Sequence, residues 1–147
     1  MVKIEILHAR LAALREYCEQ LDVKRGLSLA ALTSDLDAYH ATLHRLQLAC
    51  QAALDIASHI LAADFPRRVD QYRDLILALG SEGVLPADFA RRFAGIAGFR
   101  NIVIHEYLAV DPARVYELLH SGLDDFRAFA RYVLEYLEQT GALEDEP

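Results

Sequence analysis

An arginine and a histidine stand inside the most apolar stretch of this chain, where a helical protein ordinarily places neither. Arg100 and His105 are bracketed by Phe99, Ile102, Val103 and Ile104, with Asn101 after the arginine and Tyr107 two residues after the histidine. The chemistry these types could do together is narrow. Cutting RNA without a metal requires the ribose 2′-hydroxyl to attack its own 3′-phosphate. Histidine is the side chain that moves protons near neutral pH. Arginine is a fixed cation whose planar fork grips two phosphoryl oxygens as charge builds on them. A helix turns by about 100° per residue, which sets Asn101 beside His105 and Arg100 beside Tyr107, but Arg100 about 140° from His105. Arg100 and His105 converge if the long arginine bends round, if the helix loosens near its end, or if a second subunit brings the other half. One arginine and one histidine are a sparse set, and a symmetric dimer would double it around one cleft. A boundary arginine and a packed histidine remain the plainer alternative.

Asp55 and His59 form a second pair, at i and i+4, off the apolar stripe together with Gln47 and Gln51. The carboxylate could orient the imidazole and raise its pKa; a helix-surface ion pair is the simpler account. His8, His40, His44 and His120 read as solvated helix positions. His40 and His44 are also four apart, but two ligands without a third make no metal centre. The sequence therefore points to no metal and no cofactor. The doublets Arg67–Arg68 and Arg91–Arg92 could track an RNA backbone or simply face water.

The net charge of −7 argues against broad nucleic-acid binding. Its distribution matters more. Between Asp64 and His105 six arginines face five acids, a net of +1, so the remainder carries −8. An anion site belongs in that middle third, and the acidic remainder would limit binding to bulk RNA. No run of eighteen apolar residues exists, and the N-terminus lacks the basic-then-apolar order of a signal peptide. A cytoplasmic protein with Cys18 and Cys50 as reduced, half-buried thiols is the expectation.

The elements that must position these residues are helices throughout. Ile4, Leu7, Leu11, Leu14, Cys18 and Leu21 step by three and four, up to a stop near Gly26. Ser28 can cap a second helix, whose stripe runs unbroken from Leu29 to Ile60 until Phe65-Pro66 ends it. Such length predicts a coiled-coil-like seam or a bend. A third helix carries Val69, Tyr72, Ile76 and Leu79, and a fourth starts with Pro86 in its first turn and continues through Tyr107. Asp111-Pro112 opens a fifth, closed by Gly141. The prediction is an all-α, up-and-down bundle of about five helices, one domain over 1–147, with 139–147 as a frayed acidic tail.

The segment Gly98-Phe99-Arg100-Asn101-Ile102-Val103-Ile104-His105-Glu106-Tyr107 resembles the R-N-x3-H-x-Y signature of HepT-like toxins, a branch of the HEPN domain family. The likeness extends to Gln51–Ile60, to the Gly83-Val84-Leu85 turn and to the closing helix with Leu123, Phe126 and Phe129. It implies a HEPN-like helical fold and a metal-independent ribonuclease that works as a homodimer. Arg100 and His105 would meet across the dimer cleft, with Asn101 in support. It also implies a neighbouring MNT-type nucleotidyltransferase antitoxin that transfers AMP to Tyr107, and a tRNA or mRNA target. The alternative within this resemblance is a non-catalytic nucleotide-binding or docking partner of a nucleotidyltransferase.

Overall fold

The computed structural model describes residues 2–141. The acidic tail Glu144-Asp145-Glu146 lies outside the described residues. Among those described, every regular element is helical. Helix α1 spans Ile4–Asp22, α2 Leu29–Ser34, α3 Leu36–Asp64, α4 Tyr72–Ser81, α5 Ala87–Phe93, α6 Gly95–His105, α7 Pro112–Glu117 and α8 Leu123–Gln139. The all-α expectation therefore holds, but three of the five expected helices are divided.

Each division has a local cause. The long second stripe breaks at Asp35, whose backbone is extended and whose Oδ1 accepts the Ala38 amide at 3.2 Å. A short acidic side chain that can bond nearby amides starts a new helix rather than continuing the old one. The apolar period survives the break, which is why the stripe looks continuous in sequence. Ser28 caps α2 as expected, through a 3.1 Å bond from the Ala31 amide. Helix α5 passes into α6 at Ala94, where the Ala97 amide returns to the Ala94 carbonyl at 3.2 Å and tightens the turn. Pro86 stands one residue before Ala87, just outside the helix it was expected to open.

The last helix is interrupted by a widened π turn over Leu118–Gly122. Gly122 leaves room for Leu118 against that turn: a Cβ there would lie 2.8 Å from Leu118 Cδ2 and push the leucine aside. Gly80 plays a similar part between α4 and α5: its Cβ would stand 2.7 Å from the Ala90 methyl.

Helix α3 is the spine. It packs on α1, α4 and α6, while α8 closes over α1. It is long and apolar enough to cross a membrane, but more than half of its most apolar stretch is buried in the bundle. Leu46, Ala49, Cys50, Ala53, Leu54, Ile56 and Ile60 are fully enclosed. An aromatic cluster joins α5 to α8, with Phe93 stacked on Phe129 at 5.0 Å and edge-on to Phe126 at 5.5 Å. Cys18 and Cys50 are free and fully buried, not half-buried as expected. Burial pushes their thiols up to about 11 and about 12, so neither is a ready nucleophile.

Candidate active site on the α3–α6 face

Helices α3 and α6 run antiparallel, so that Gln51 meets Arg100 and, eleven residues earlier on α3, His40 meets Tyr107. Arg100 is half-buried and held from three sides. Its Nε donates to Gln51 Oε1 at 2.7 Å. Its Nη1 donates to Asn101 Oδ1 at 3.0 Å. Its guanidinium lies over the Tyr72 ring, with Cζ 4.4 Å from the centroid. An arginine has five N–H donors, and two are occupied here, so three remain to grip an anion.

The orientation of Gln51 is itself determined. Its Nε2 donates to Asp55 Oδ1 at 2.7 Å, which turns the amide oxygen toward Arg100. Asp55 also faces Arg10, 3.8 Å away and largely in water. A pair that exposed contributes little on its own. The carboxylate's local effect is to set which end of the amide Arg100 sees.

His105 is the last residue of α6 and is exposed. Among the described residues its side chain makes no hydrogen bond or ion pair, and none joins it to Arg100. The helix ends at Glu106, whose amide returns to Ile102 at 2.8 Å, and a 3₁₀ turn over Tyr107–Ala109 follows. That turn carries Tyr107 to His40, whose Nδ1 it meets through the phenol hydroxyl. Beside Asn101 a groove of about 560 Å³ runs between α4 and α6, walled by Tyr72 and Arg73 and floored by Gly95 and Gly98.

Four of the residues singled out from sequence thus share one face: Arg100, Asn101 and Tyr107 directly, and Asp55 through Gln51. His59 does not join them. Its Nε2 accepts the Lys3 amide at 3.0 Å, and no bond links it to Asp55. Burial, followed by the Lys3 ammonium, holds its imidazolium form below the ordinary 6.5. A histidine with a depressed folded-state pKa resists protonation that the unfolded chain accepts, so stability is lost as pH falls below about 6.5. Urea unfolding at pH 7 and pH 5 should show this loss, and His59→Gln should lessen it.

The residues that sequence reasoning missed are Tyr72 and His40. Tyr72 sat in an apolar stripe, yet it is 38% exposed and supports Arg100. His40 is exposed, as a solvated position should be, and is also bound to Tyr107. His120 was read the same way, and instead stacks on Tyr116 at 4.0 Å and bonds its backbone carbonyl. Among the described residues no group of three or more His, Cys, Asp or Glu side chains is placed to hold a metal ion.

An all-helical bundle with a braced arginine on α6 and an exposed histidine at that helix's end has the architecture of a HEPN-type protein. The family model described as ribonuclease HepT-like matches residues 10–133, and the chain belongs to that family. It is 30% identical over 139 residues to a tRNA nuclease HepT of Aphanizomenon flos-aquae, covering 93% of this chain and 95% of that protein. It is 27% identical over 84 residues to an mRNA nuclease HepT of Shewanella oneidensis, covering 57% and 63%. Its fold matches that of the tri-AMPylated Shewanella oneidensis HEPN toxin in complex with MNT antitoxin. That match has a TM-score of 0.80 at 20% identity and covers 88% of this chain and 97% of the other.

Proposed function

We propose that this chain is the ribonuclease toxin of a toxin–antitoxin pair, acting in the cytoplasm on tRNA or mRNA. The observation that carries the reading is the bracing of Arg100. A guanidinium held by Gln51, Asn101 and Tyr72, with three donors left over, is preorganised for a phosphate whose charge rises during reaction. His105 is the proton-transfer group. The 2′-hydroxyl loses its proton and attacks phosphorus, the 5′-oxygen leaves, and a 2′,3′-cyclic phosphate remains. None of these steps asks for a metal.

A homodimer completes the site, with Arg100 of one protomer working beside His105 of its partner. Apolar exposure around the motif supports this. Ile102 and Ile104 are 40% and 39% exposed, and Leu108 is 98% exposed. Large apolar side chains clustered at one surface point to a buried contact. Leu108→Arg should weaken that contact, and analytical ultracentrifugation should show a shift toward monomer with a parallel loss of cleavage.

The antitoxin is an MNT-type nucleotidyltransferase, and Tyr107 is the residue to which it transfers AMP. The phosphodiester would set an anion and a nucleoside on the face that carries Arg100, about three turns of α3 away, in the path of the RNA. The HEPN neighbour described as tri-AMPylated supports this regulation.

The test is cleavage of total RNA by the purified protein in excess chelator, with end-group analysis of early products. Cyclic phosphate ends are expected. Early products that carry only 3′-hydroxyl ends would overturn the mechanism, and intact RNA would overturn the activity.

A further inference from the structure

We propose that His40 and Tyr107 form a nucleophile–base pair, with His40 accepting the phenol proton when Tyr107 attacks the α-phosphorus of a nucleoside triphosphate. This rests on the reading above that Tyr107 is the modified residue, and it assigns to the acceptor chain a part of the chemistry of its own modification. The hydroxyl of Tyr107 is bonded to His40 Nδ1, and the two rings lie 5.3 Å apart between centroids. Both residues are exposed, so an electrophile held by another protein can reach them.

The arrangement is particular to this tyrosine among those described. Tyr39 adjoins His40, with ring centroids 5.7 Å apart, but it is only 8% exposed and its hydroxyl has no partner. Burial, then the neighbouring Tyr107 and Asp111, raise its pKa and keep that phenol neutral. Tyr116 stacks on His120, yet the imidazole bonds the Tyr116 backbone and not its hydroxyl. Tyr136 donates to Asp64 at 2.7 Å. Tyr72 is exposed but lies under Arg100, with no base at its hydroxyl. Tyr17 and Tyr132 have no imidazole at their hydroxyls either, so among the described residues Tyr107 alone combines exposure with an imidazole bonded to its hydroxyl.

The step balances without a further reactant beyond the nucleoside triphosphate. With His40 as its Nε2–H tautomer, Nδ1 receives the phenol proton. The bond from Tyr107 Oη to the α-phosphorus forms as the bond to the bridging oxygen breaks. Pyrophosphate leaves with the electron pair, and the imidazolium later returns its proton to water. While it persists, that cation sits beside the new phosphodiester anion, which favours the product. A weak nucleophile made reactive by an adjacent base is the common route to such group transfer.

Two measurements on the full-length protein test the pair. The first uses N-acetylimidazole, with acetylation of Tyr107 and Tyr72 followed by peptide mass spectrometry in the same sample. Tyr107 should react about tenfold faster or more, and His40→Ala should bring it down to the rate of Tyr72. His40→Gln keeps a hydrogen-bond acceptor but cannot take a proton, and should not restore the rate. If His40→Gln matches the wild type, His40 only orients the phenol and the assignment as base is overturned. If His40→Ala leaves Tyr107 unchanged while circular dichroism shows the same fold, the pair itself is overturned.

The second measurement uses Mg-ATP and an MNT-type nucleotidyltransferase antitoxin, with adenylyl mass on Tyr107 as the readout. The wild type should be modified and His40→Ala slowed by the same order, with free imidazole restoring part of the rate. Fast acetylation without any adenylyl transfer would overturn the AMP reading alone, leaving the pair as a nucleophile for another donor.

Discussion

Alanine at His105 should slow RNA cleavage by about 10²–10⁴-fold, the range a positioned proton-transfer group supplies. The fold should be untouched, because His105 is exposed at the end of α6 and its side chain makes no bond among the described residues. Exposed substitutions of that kind stay within about 0.5 kcal/mol. Arg100→Ala should cost about 10²–10³-fold by removing a preorganised donor to the phosphoryl oxygens. Arg100→Lys should recover little. An ammonium keeps the charge but cannot donate to Gln51 and Asn101 while presenting a planar fork to phosphate.

Single-turnover cleavage of a labelled RNA reads the rates, and far-ultraviolet dichroism checks the helices. Mixing the two dead proteins then locates the site. A heterodimer of Arg100→Ala and His105→Ala subunits keeps one intact arginine–histidine pairing if the site spans the interface, and activity returns in part. Two variants that stay inactive when co-folded would place the site within one protomer. Wild-type rates in either single variant would remove that residue from catalysis.

The helical character of this fold is legible because apolar side chains recur every three or four residues for almost the whole length. What periodicity does not carry is where a helix stops and restarts in the same phase. Asp35 and Ala94 interrupt helices without disturbing the stripe, and only hydrogen-bond geometry reveals them. The site divides in the same way. Arg100 and His105 stood out as polar intrusions in an apolar run, a local signal. The long-range partners of Arg100 and of Tyr107 lie 28 to 67 residues away, on helices whose register against α6 is set by packing. Tyr72 fitted its stripe and so looked like core. His40 was one of several polar helix positions with nothing local to distinguish it. The pairing of Asp55 with His59 failed for the converse reason. A four-residue spacing permits contact but does not compel it, and each has another partner, Gln51 one turn earlier on α3 for the carboxylate and the Lys3 amide before α1 for the imidazole.

Gln51 provides the second large effect, because a guanidinium misplaced by about 1 Å can cost about 10²-fold in rate. Gln51→Leu removes the acceptor at Arg100 Nε and should lower kcat by about that much, with a smaller change in KM. The more telling variants are at Asp55, which touches no substrate and acts through the glutamine. Asp55→Leu leaves the Gln51 amide free to turn its NH₂ toward Arg100, donor against donor, and should approach the effect of Gln51→Leu. Asp55→Asn still offers an oxygen to Gln51 Nε2. It loses only the exposed contact with Arg10, so it should cleave within a few-fold of the wild type. A merely structural role for Asp55 predicts the opposite pattern: both variants losing stability together, with cleavage following the folded fraction. Measuring kcat, KM and the urea midpoint on all three variants separates the cases. If Asp55→Leu is fully folded and cleaves like the wild type, the Asp55–Gln51–Arg100 chain does not orient the catalytic guanidinium.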